Sequence, residues 1–123
     1  MIHTVANLSG VLLDAAAAKA GEVEIEYSLG QCRRKPIPGV AFETYQPSRD
    51  WRDGGPIIER ERIVLEPDEP KGGGGGWTAF LMEEYGHEGA VAVPGTYHAG
   101  PTPLVAAMRA YVASKFGNEV ELP

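Results

Sequence analysis

The chain has 123 residues and 13.2 kDa, with 43% hydrophobic and 23% charged residues, enough for one globular core. A net charge of −6 and a pI near 5.0 argue against a non-specific nucleic-acid binder. One cysteine excludes an internal disulfide scaffold, and no run approaches the ~20 apolar residues of a membrane span.

Residues 1–7 lack the basic start and apolar stretch of a secretory signal, so a soluble cytosolic domain is expected. The first helix is predicted over about 9–20, with Ser9 as its cap. Leu12, Leu13, Ala16, Ala17 and Ala20 share a face at helical spacing. That face is thin, so another element can approach closely. Gly21 is the expected left-handed stop. Val23, Ile25 and Tyr27 then alternate with Glu22, Glu24 and Glu26, the pattern of a half-buried strand with an acidic outer face. Arg33, Arg34 and Lys35 fall in a loop with Pro36 and Pro38, and residues 39–45 read as a second strand.

Residues 46–56 are dense in turn formers. Pro56 suits the first position of a short helix near 56–61. Residues 63–65 read as a strand, 68–76 as a flexible glycine-rich loop, and 77–82 and 90–93 as further strands. The last helix is predicted over 103–116. Thr102 caps it, Pro103 opens it and Gly117 ends it, with Leu104, Met108, Tyr111 and Val112 as its apolar stripe. Val120 and Leu122 suggest a terminal strand. These elements predict an α+β fold in a single domain, 1–123: a small, mainly antiparallel sheet packed against two principal helices.

Three segments carry a family resemblance. Residues 8–20 resemble the opening of the phage NinX-like family, 47–61 (PSRDWRDGGPIIERE) its central signature, and 100–117 (GPTPLVAAMRAYVASKFG) its C-terminal helix. Their order and spacing also match. Members often carry a tryptophan in the first helix where Ala15 stands here, and the 33–35 loop and the glycine run look peculiar to this chain. The resemblance implies a phage accessory protein working in the host cytoplasm. It supplies no reaction and no catalytic residue.

The central signature is the best candidate site. Arg49 and Arg52 flank Trp51, and Gly54 and Gly55 precede the expected helix start. Free amides at such a start can hold an anion, arginine can grip a phosphate, and a tryptophan can stack on a base. The bland alternative makes Trp51 a core anchor and pairs the arginines with Asp50, Asp53, Glu59 or Glu61. Thr102 marks a second helix start, with Tyr97 and His98 just before it as loop residues able to add contacts. Residues 33–62 hold seven of the eleven Lys and Arg but five of the seventeen acids, leaving about +2 there and about −8 elsewhere. A basic pocket in an acidic protein suits a small phosphorylated ligand better than a long polymer.

Other chemistry is poorly supported. The glycine run lacks the Lys-Ser/Thr ending of a P-loop and reads as a hairpin tip. Glu83, Glu84, His87 and Glu88 would share a face only if helical, and Gly86 and Gly89 argue against that helix, so no metal is expected. Basic neighbours can lower the pKa of a thiol such as Cys32, but no histidine lies near it in sequence and there is no nucleophile elbow, so an inert or incidental thiol is expected. The reading is a non-catalytic small-molecule binder without a cofactor, expected to form a homo-oligomer. It would be a counter-defence sponge that sequesters a cyclic nucleotide immune signal. The alternative is an interaction module using Trp51, Trp77 and Tyr97 against a host or phage protein. A nucleotide-signal hydrolase ranks third.

Overall fold

The computed structural model describes residues 1–28, 30–34, 43–68 and 75–123. In chain order the elements are β1 (Ile2–Thr4), a single 3₁₀ turn (Val5–Asn7), α1 (Gly10–Ala20), β2 (Ile25–Ser28) and β3 (Gln31–Arg34). Then come α2 (Trp51–Glu61), β4 (Ile63–Pro67), β5 (Trp77–Gly86), β6 (Gly89–Ala92), β7 (His98–Gly100), α3 (Pro103–Phe116) and β8 (Glu119–Glu121).

Helix α3 is the central element. Nine of its fourteen residues are buried, so the predicted apolar stripe becomes a helix covered around most of its circumference. It packs against β4, β5 and β7 and against α1. Alanine makes this possible: Ala106, Ala107, Ala110 and Ala113 let neighbours come close. Gly100 in β7 is there for the same reason, since a Cβ on it would lie 2.6 Å from the Ala106 amide nitrogen. Thr102 Oγ1 accepts from the Val105 amide at 3.2 Å, Pro103 fills the first turn, and Gly117 stops the helix at φ 79°.

Helix α1 departs from its predicted face. Residues 13–18 are all buried, Asp14 among them, while Leu12 is exposed. One side meets α3 and the other meets Cys32 and Tyr45. Ser9 makes no side-chain cap bond, and the left-handed residue after the helix is Glu22 at φ 55°, one past Gly21. Gly21 is needed for space instead, because a Cβ there would sit 3.0 Å from Tyr111 Oη.

The strand pairs among the described residues are antiparallel, as expected, but they form three small sheets in place of one. β1 pairs with β8, β2 with β3, and β5 carries β4 on one side and β6 and β7 on the other. The fold is α+β. Arg33 and Arg34, expected in a loop, belong to β3, while Lys35 lies outside the described residues. Of the strand expected over 39–45, residues 39–42 also lie outside them. Thr44 bridges to Arg33, and the Tyr45 amide donates to the Cys32 carbonyl at 2.8 Å. Of the glycine-rich loop, 69–74 lie outside the described residues, and the Asp68 amide donates to the Gly76 carbonyl at 2.9 Å. Glu83 and Glu84 lie in β5, and His87 and Glu88 in the turn to β6, so they share no helical face. No helix among the described residues is long and apolar enough to cross a membrane.

Candidate functional site

Helix α2 starts earlier than Pro56 suggests. Its cap is Asp50, whose Oδ1 accepts from the Arg52 amide at 2.9 Å, and whose carbonyl accepts from the Asp53 and Gly54 amides. Asp53 Oδ2 reaches back to accept from the Gln46 amide at 3.0 Å. The first turn is therefore tied to the 46–50 turn before it through the Arg52, Asp53 and Gly54 amides and the Asp53 carboxylate. Pro56 sits inside the helix, where it removes only one backbone bond. Gly54 and Gly55 are helical residues and do not precede a helix start. A Cβ on Gly54 would lie 2.4 Å from the Pro47 carbonyl oxygen and 2.7 Å from Leu104 Cδ2. That missing side chain lets α2 press against both its own leading turn and the start of α3.

The two helix starts consequently border one cleft of about 420 Å³. Ser48, Arg49 and Trp51 line one side and residues 102–105 the other. Trp51 is 54% exposed, so it is no core anchor. Among the described residues, nothing accepts from the Trp51 or Leu104 amide, the free donors of the two first turns.

Arg49 is held by Asp14, a partner 35 residues earlier in α1. Its Nη2 and Nε lie 2.8 and 3.3 Å from Asp14 Oδ2. The other carboxylate oxygen accepts from the Ser48 amide at 2.8 Å and the Ser48 hydroxyl at 2.6 Å. Asp14 is wholly buried, while the Arg49 side chain remains 43% exposed. Asp14 and Ser48 are the site residues that sequence reasoning missed. The available signal was an acid in the middle of an apolar alanine run.

The other candidates spread out. Thr102 caps α3 and lines the cleft. Arg52 does not line it. Its side chain is 66% exposed and lies 4.0 Å from Asp50 and 3.9 Å from Asp53. Tyr97 and His98 are not among the lining residues either. Tyr97 stacks on Phe80 with ring centroids 4.7 Å apart. His98, expected in a loop, belongs to β7 opposite Ala79. Burial, then the nearby Arg109 guanidinium, lowers its pKa. Cys32 is not activated by its basic neighbours: burial outweighs Arg49 and pushes the thiol up to about 11, with Asp14 adding to the rise. The basic region of the sequence is also less open than its sum implies, because Arg34, Arg49, Arg52 and Arg60 each face a carboxylate. Among the described residues, no three His, Cys, Asp or Glu side chains gather where they could hold a metal.

The fold and site define a small α+β protein with a cleft between two capped helix starts. The family described as Bacteriophage P22, NinX matches residues 4–115, so the chain belongs to that family and is a phage protein. The resemblance read from the three segments is thereby borne out. No curated protein is significantly similar to the chain.

Proposed function

We propose that the protein is a non-catalytic binder of a phosphorylated small molecule, acting in the host cytoplasm as a sponge for a cyclic nucleotide immune signal. The observation that carries this reading is the cleft: a half-exposed Arg49, an exposed Trp51 ring and two helix starts border the same space. A base stacked on an aromatic ring gains about 1–3 kcal/mol. Helix starts favour negative charge, and the free Trp51 and Leu104 amides are donors suited to phosphate oxygens. Tight retention without turnover is all that sequestration requires. Assembly as a homo-oligomer would close the open side of the cleft and bury more of the ligand.

A calorimetric titration with cyclic di- and trinucleotides and cyclic ADP-ribose isomers tests the reading. Heat is expected from at least one of them with the native chain and from none with Trp51→Ala. Silence across the whole panel would overturn it. The second reading, an interaction module, keeps Tyr97 from the anchors expected for it and adds Tyr85, 57% and 78% exposed, whereas Trp77 is partly buried against the core. One stoichiometric protein partner captured from host lysate, lost on Tyr85→Ala and Tyr97→Ala but kept on Trp51→Ala, would favour it.

A further inference from the structure

We infer that the cleft accepts a ligand group carrying a single negative charge, a phosphodiester in preference to a phosphomonoester, and that Asp14 sets this limit. The inference rests on the cleft reading above. Arg49 is the one cationic side chain lining the cleft among the described residues. Its charge is already met by Asp14 at 2.8 Å, and that carboxylate is wholly buried, so solvent screens it little. Two hydrogen bonds from Ser48 hold the carboxylate in place, so it cannot swing away when a ligand arrives. Beside Trp51 in the chain, Arg52 lies near both Asp50 and Asp53, which leaves that cluster one negative charge in excess.

The attraction left for an anion therefore comes from the two helix starts and the outer edge of Arg49. Each start carries roughly half a positive charge, and Asp50 offsets part of one of them. That suffices for one negative charge. A second would add repulsion from the nearby Asp14 and Asp50 carboxylates, and among the described residues lining the cleft no further cation is there to meet it. One uncompensated charge several ångströms from a carboxylate, at intermediate dielectric, lowers affinity on the order of tenfold.

Adenosine 5′-monophosphate and its methyl ester form a matched pair that differs by one charge. The full chain is titrated with each and followed by the NMR signals of the Trp51 indole N–H and Arg49 Nε–H. At about pH 8, where the monoester is a dianion, the methyl ester is expected to bind about tenfold tighter. Toward about pH 6 the monoester gains a proton and the gap narrows. The ester, whose charge is fixed, controls for any change in the protein itself. Asp14→Asn is expected to remove the preference. The native-chain comparison at two pH values needs no variant, so it stands whether or not that variant folds. Equal or tighter binding of the dianion, with shifts at Trp51 and Arg49, overturns the single-charge limit and leaves the cleft reading intact. No shift at either residue with either probe contradicts the cleft reading, and the limit falls with it.

Discussion

Asp14 and Arg49 are unequal partners, and the inequality predicts an order of stabilities. Replacing Arg49 by Met leaves a wholly buried carboxylate with only the Ser48 bonds, a loss of about 3 kcal/mol. Replacing Asp14 by Asn keeps an acceptor for Ser48 and lets the half-exposed guanidinium turn to water, which costs about 1 kcal/mol. Urea unfolding of both variants checks this, and the reverse order would contradict it. Trp51→Ala is expected to change stability by less than about 0.5 kcal/mol, because the ring is exposed. Trp51 and Arg49 were legible in the sequence because turn residues and a bracketing charge pattern surround them. The Asp14 contact was not, because helix position alone does not say which element covers the far side of α1.

At the scale of the element, α2 shows local signals in competition. Pro56 is a good helix opener, and so is Asp50. Asp50 wins because its side chain and carbonyl satisfy three amides of the first turn, against one bond lost at Pro56. Gly54 and Gly55 look alike in sequence but differ in space. Gly54→Ala is expected to cost about 2 kcal/mol, since the new methyl meets backbone at Pro47. Gly55→Ala meets nothing closer than Trp51 Cε3 at 3.9 Å. Its helix gain of about 1 kcal/mol is offset by crowding from the following proline, leaving it near neutral. Thermal unfolding of the pair separates them, and equal losses would contradict the packing given for Gly54. Strand β7 escaped sequence reading because three residues carry no period, and its partner β5 is distant in the chain. Its His98 gives a pH test. Because the folded state lowers its pKa from 6.5, the unfolded chain takes up the proton first. The associated stability is complete above about 6.5 and is lost as pH falls through the folded value. His98→Asn is expected to flatten that part of the stability profile. An unchanged slope would show that the acid sensitivity comes from elsewhere.

For the whole molecule, the α+β class was legible because α3 carries its own start and stop signals and the helix and strand periods differ. The division into three sheets was not, since pairing across the chain decides it. β1 and β8 pair from opposite ends of the chain, and the Met1 amine bonds Glu121 Oε1 at 2.8 Å and the Leu122 carbonyl at 2.7 Å. The charge pattern changed meaning in the same way. A segment of about +2 within a chain of −6 looked like an open basic pocket. Folding sets four of its six arginines against carboxylates, and on the proposed function the cleft attracts an anion mainly through two helix starts. The proposed function stands on the retention of a small ligand in this cleft. Native mass spectrometry of the protein purified from infected cells tests it most directly and reports subunit number as well. A bound small-molecule mass on the native chain, absent from Trp51→Ala, is the expected result. The bare chain mass in both samples would contradict the claim.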